Sequence, residues 1–158
     1  MIDPVDIGRP GNVLGHVRRY GDDRVIRIGR ARDGDEALFT PRADFAADFA
    51  SEGALLPDGL RWTVETGWGR REVLGMGGLA PLGGRRWGVW ALMSDLTPRQ
   101  WLLAGWAAHA VLTWATTANT IFERPTFQAV PAPTPEAVRL LKRIGFVDVG
   151  EAYMIWEG

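Results

Sequence analysis

Apolar and polar residues alternate through the middle of the chain. In "LRWTVETGW" (60–68), Trp62, Val64, Thr66 and Trp68 fall on one side, which predicts a strand with one buried face. "REVLGMGGLAPL" (71–82) follows a tight turn near Gly69, and "RRWGVWALM" (85–93) follows Gly83-Gly84, so the three segments read as an antiparallel meander. Gly75, Gly77 and Gly78 weaken the second strand and point first to a bulge, second to a close backbone approach. Upstream, "RVIRIGR" (24–30) reads as a short strand through Val25, Ile26 and Ile28.

The pattern shifts to a helical period in three places. "DEALFTPRADFAADFASEG" (35–53) places Phe45 and Phe49 on one face, and Pro41 splits it into two short helices. "TPRQWLLAGWAAHAVLTWATTA" (97–118) opens with Thr97 as N-cap, Pro98 in the first turn and Gln100 to complete a capping box. "PEAVRLLKRIGF" (135–146) starts after Thr134, carries Lys142 and Arg143 in its last turn, and ends on Gly145 in a left-handed cap closed by Phe146. Between these helices "TIFERPTFQAV" (120–130) reads as a strand bent at Pro125, and "AYMIWEG" is a last strand. The order predicts an α+β fold, a mostly antiparallel sheet with helices packed on it.

The helix at 97–118 is apolar on more than one side. Leu103, Trp106, Ala110 and Trp114 define one face, and Trp101, Leu102, Gly105, Ala108 and Leu112 fill much of the rest. A helix of that kind is normally covered nearly all round. The cover is either the N-terminal segment or a homo-oligomer or partner protein touching Trp101 or Trp106.

Composition narrows the class. The chain has 158 residues, enough for one core, read as an N-terminal extension over 1–23 and a single domain over 24–158. A net charge of −1 argues against nucleic acid as a partner. No cysteine is present, which excludes thiolate metal sites and a cysteine nucleophile, and only His16 and His109 could serve as imidazole ligands, so no metal is expected. The N-terminus lacks a signal pattern and the apolar helix is interrupted by polar residues, so a cytoplasmic protein that does not enter a membrane is expected. One lysine against 17 arginines suggests a GC-rich bacterial or phage source.

The ordered set "VLGMGGLAPL", "WGVWALMS" and "EAVRLLKRIGF" resembles the GCN5-related N-acetyltransferases (GNAT) over roughly 24–158, and within them the divergent acetyltransferase-like proteins of tailed phages and prophages. The resemblance implies a GNAT-like sheet with helices on both faces and acetyl-CoA as cofactor, lying where the fourth and fifth family strands splay apart. It implies that pantetheine pairs with the strand edge at Ala91, Leu92, Met93 and Ser94, and that pyrophosphate rests on the start of the next helix at Arg99, Gln100, Leu102 and Ala104. Free N–H groups at a helix start attract anions, which makes that placement physically sound.

The chain departs from the family pattern at three points. The middle glycine of the phosphate loop is Leu102 or Leu103, depending on register; the tyrosine that commonly acts as acid is Leu141; and an asparagine common near the last helix is Thr134. The segment "RRWGVWALM" offers no carboxylate as general base, so Glu123 is the first candidate and Glu65 the second. Two functions follow from these residues. One is an N-acyltransferase moving an acetyl or other acyl group from acyl-CoA to an amine. The other is a GNAT-fold phage structural or accessory protein, virion-associated and without catalysis, that acts through protein contacts.

Overall fold

The computed structural model describes residues 18–20, 24–51, 56–66, 72–117 and 124–158. Its strands are β1 (Arg18–Tyr20), β2 (Arg24–Arg30), β3 (Leu60–Thr66), β4 (Glu72–Gly83), β5 (Arg86–Met93), β6 (Thr126–Ala129), β7 (Phe146–Asp148) and β8 (Met154–Trp156). The helices are α1 (Ala43–Ser51), α2 (Pro98–Thr117) and α3 (Pro135–Ile144), with a 3-10 turn at Asp35–Ala37. The strands form one sheet in the order β1-β2-β3-β4-β5-β6-β8-β7. The β5–β6 pair is parallel and every other pair is antiparallel.

The alternation read from the sequence decides which face is which. Ile28, Trp62, Leu79, Phe127, Phe146 and Met154 pack on one face against Ala107, Val111, Leu112, Trp114 and Ala115 of α2 and Ile144 of α3. Trp62 meets Trp114 edge-on at 6.1 Å. Thr63, one residue on, points to the opposite face and donates from its buried hydroxyl to Asp35 in the 3-10 turn at 2.6 Å. Met76 and Leu92 stand in register with Thr63 and are buried with it. Helical segments thus cover both faces of an α+β sheet, as expected.

The caps form as their sequence implies. Thr97 N–H donates to Gln100 Oε1 at 3.0 Å, and Gln100 N–H donates to Thr97 Oγ1 at 3.2 Å. Thr134 Oγ1 accepts from Ala137 N–H at 3.3 Å. Gly145 takes φ +118 and donates to the carbonyls of Leu141 and Lys142, while Phe146 is buried beneath it.

Other expectations meet mixed outcomes. The glycines of β4 do lie beside a bulge, at Gly75. The register shift opposes Val64 and Glu65 to Gly75 and Val73, which leaves Leu74 as the extra residue. Gly75 and Gly78 also permit close approach: a Cβ would come within 2.5 Å of Met93 Sδ at Gly75 and within 2.6 Å of Trp90 Nε1 at Gly78. Of the strand expected over 120–130, residues 120–123 lie outside the described residues, and the described part forms a strand over Thr126–Ala129. Tyr153 precedes β8 rather than lying in it. Two short strands had no separate sequence reading: β7, and β1, which pairs with β2 from within the stretch set apart as an extension.

Candidate functional site

β5 has two neighbours that follow it for different distances. β4 stays paired from Arg86 to Met93. Beyond the strand Ser94 still donates to the Leu74 carbonyl, from its N–H at 2.9 Å and its hydroxyl at 2.7 Å. β6 pairs only with Arg86, Trp87 and Gly88. After Gly88 the two strands part, and the β6 side of β5 becomes an open edge.

The direction of the edge groups follows from the ladder. In an antiparallel pair, opposed residues alternate between exchanging hydrogen bonds and facing away. The Ser94–Leu74 bond places Leu92 and Met76 in an exchanging pair and turns the amides of Ala91 and Met93 toward the gap. Ala91 lies mid-strand in an eight-stranded sheet yet is exposed, which puts it on the floor of the gap. Leu92 and Met93 are each 4% exposed, with Leu92 on the Thr63 face.

The mouth of the gap is built by α1 and α2. The carbonyl of Met93 accepts from the Arg42 N–H at 2.8 Å. The Arg42 guanidinium forms two 2.8 Å bonds to Asp44 and lies 5.5 Å from the Trp101 ring and 5.8 Å from Phe45, which stack on each other at 6.2 Å. The hydrogen bonds with Asp44 raise the Arg42 pKa, against a smaller effect of burial; Asp95 and Glu136 add to the rise from further off. The same bonds hold the Asp44 carboxyl below its ordinary value.

The start of α2 has little to offer an anion. Pro98 has no N–H, and that of Gln100 is engaged by Thr97, so the first turn presents at most the Arg99 amide. Leu102 is 46% exposed in the position of the expected glycine, and Ala104 is half-buried. Leu141 packs against the core where the family tyrosine would stand.

Glu65 is 8% exposed, on the face of Thr63 and two strands away from β5, so the fold does not bring it to the gap. Glu123 and the side chains of Arg99 and Leu103 lie outside the described residues. Ala91, Met93 and Ser94 lie together at the end of β5, and Gln100 sits in the first turn of α2, whereas Leu102 faces the pocket between α2 and α3. Sequence reasoning missed Arg42, whose only local signal is Pro41 at a helix start. Among the described residues no group of acids and histidines could hold a metal ion, and no helix is long and apolar enough to cross a membrane.

Sequence comparison finds no matching protein family and no matching curated protein. Comparison of the fold does find matches. A domain from Methanocaldococcus jannaschii superposes with a TM-score of 0.57 at 14% identity, covering 85% of this chain and 97% of that one. A ribosomal-protein-S5-alanine acetyltransferase from Vibrio fischeri gives 0.55 at 10% identity, covering 89% and 94%. A mutant spermidine N-acetyltransferase from Vibrio cholerae gives 0.53 at 14% identity, covering 79% and 81%. At such identities the likeness is one of fold, and that fold is the GNAT fold expected from the sequence.

Proposed function

We propose, from a fold shared with N-acetyltransferases, that this chain transfers an acetyl or other acyl group from an acyl-CoA to an amine. The parting of β5 and β6 carries the reading, because it opens a strand edge at Ala91 and Met93 beside an exposed floor. An extended chain with amides of its own, as pantetheine is, can add to such an edge like one more strand. Acyl-CoA supplies a thioester activated toward an amine. The new C–N bond forms as the C–S bond breaks, the thiolate leaves, and the amine gives up a proton. Backbone N–H groups of β5 near the thioester oxygen would stabilise the charge that develops on it. Glu123, next along the chain before β6, is the proposed acceptor of the amine's proton.

The pantetheine arm fits the edge, but the helix start fits a pyrophosphate poorly, since Thr97 and Gln100 cap one another. Affinity for acetyl-CoA should therefore be weak, with a Kd in the range of roughly 0.1–1 mM. Calorimetric titration of the purified chain with acetyl-CoA tests the reading. Heat that saturates in that range and is lost in Ala91→Pro supports it.

A second reading is favoured by one specific contact. The Arg42 N–H already occupies the Met93 carbonyl at the mouth of the edge. In that reading the chain keeps the fold without the chemistry and serves a phage as a structural or accessory protein. Absence of heat with acetyl-CoA at millimolar concentration would favour it.

A further inference from the structure

The face of α2 turned away from the sheet carries exposed residues. Leu102 is 46% exposed on it, and His109 and Thr113 are exposed about two and three turns further along that face. Beside it α3 lays down Arg143 and Ile144, and the two helices enclose a pocket of about 240 Å3 floored by Gly105 and walled by Trp101, Leu102 and Trp106. Gly105 faces α3, where a Cβ would stand 3.5 Å from Leu140 and 3.8 Å from Ile144. The His109 ring stands edge-on to Trp156 at 6.1 Å, with Nδ1 3.5 Å from the Thr113 hydroxyl. Arg143 is the cation on the rim, with exposed Lys142 beside it and no acidic residue on α2; the nearest acid along the fold is Glu157, whose N–H donates to the Gly145 carbonyl.

The same chain carries an exposed apolar residue flanked by acids. Val149 is 45% exposed and Val130 71%, both just beyond the last paired row of β6, β8 and β7. Asp148 Oδ1 accepts from the Gly150 N–H at 2.9 Å, and Gly150 takes φ +76. That turn presents Val149 as a fixed apolar knob between the exposed carboxylates of Asp148 and Glu151. Residues 144–158 hold three acids and no lysine or arginine. Phe146 pairs with Trp156 at the pocket end of the β7–β8 ribbon, and Asp148 pairs with Met154 at the knob end, so knob and pocket of one copy are kept apart.

We propose that copies of this chain associate, Val149 of one entering the α2–α3 pocket of another while Asp148 and Glu151 face Arg143 and Lys142. Apolar shape and opposite charge agree at this contact, and no residue has to leave its place in the fold. The proposal does not depend on whether the chain is a transferase. Salt weakens the contact, because its rim is ionic and exposed.

Sedimentation equilibrium of the full chain tests it, on wild type, Leu102→Glu and Val149→Lys, up to about 500 μM, where a single small contact would still be populated. Both positions are exposed, so far-UV circular dichroism and melting should match wild type. The expected result is a wild-type mass that rises with concentration, and an association weakened by about tenfold or more in each variant, as for a central contact residue. An equal mixture of the two variants should associate again, since one supplies an intact pocket and the other an intact knob. A wild-type monomer throughout would overturn the proposal. So would association that neither variant weakens, or variants that fail to complement each other.

Discussion

The backbone N–H of Arg42 donates to the carbonyl of Met93 at 2.8 Å, and this bond fastens the start of α1 to the open edge of β5. Anything that adds to the edge meets Arg42 first. The side chain is fixed as well, between Asp44 on one side and the Phe45 and Trp101 rings on the other.

Proline at Ala91 separates edge binding from stability. The Ala91 N–H faces the gap, so its loss leaves the β4 ladder whole, and edge positions tolerate proline. Ala91→Pro should abolish acetyl-CoA binding while changing stability by about 1 kcal/mol or less. Leu92→Pro, which removes a bond to Met76, should cost about 3 kcal/mol. Urea denaturation of both variants beside wild type distinguishes these outcomes.

Thr97→Gly should cost only a few tenths of a kcal/mol, because glycine is itself an acceptable N-cap, whereas Thr97→Ala should cost about 1 kcal/mol. Both variants release the Gln100 amide. If the start of α2 meets a phosphate at all, each variant should bind acetyl-CoA several-fold tighter than wild type, by about one charge-assisted hydrogen bond. Unchanged affinity in both would exclude the helix start from any acyl-CoA site.

Gly145→Val should destabilise the chain by about 2 kcal/mol or more, since it combines a left-handed backbone with a Cβ placed 2.6 Å from the Gly158 backbone. Gly34→Ala provides the contrast. Its φ is +87 but a Cβ there meets nothing within 4 Å, so about 1 kcal/mol is expected from the backbone alone. Equal losses at both sites in chemical denaturation would show that the C-terminal packing contributes nothing.

Acid sensitivity should include Asp44. Its folded pKa lies below its unfolded one, chiefly through the hydrogen bonds from Arg42. Its contribution is therefore complete above the unfolded value of about 3.9 and is lost as pH falls through the lowered folded value. The two side chains are 32% and 26% exposed, so the effect is at most about 1 kcal/mol. Asp44→Asn should flatten the low-pH limb of a stability curve by that amount and leave pH 7 to 9 unchanged in slope. An unaltered low-pH limb would show that the pair does not act on folding.

The caps at Thr97, Thr134 and Gly145 were legible in the sequence because cap chemistry is local: donor and acceptor lie three or four residues apart. Trp62 and Val64 were legible as one face because β3 is long enough to alternate. β1 and β7 have three residues each and take their identity from the strands they join, so they show no pattern of their own. The glycines of β4 signalled a missing Cβ without saying which neighbour needed the room. The residues around the gap could be named, but the outward direction of Ala91 and Met93 depends on register with β4, which no single segment encodes. Arg42 meets Met93 across a long stretch of chain, so it had no local mark. The apolar surround of α2 was legible, but the sheet and α3 cover less of it than the sequence implied, leaving Leu102 bare.

The parallel pairing of Arg86, Trp87 and Gly88 with Thr126, Phe127 and Gln128 is the single seam between two antiparallel halves of the sheet, β1 to β5 and β6-β8-β7. The meander within the first half closes through short loops, whereas the seam waits for all of α2 to be laid down, and distant pairings form late. The two halves are therefore candidate cooperative units of unequal persistence. Amides at the seam should exchange with deuterium sooner than those in the middle of β4, through openings that part the halves without melting either.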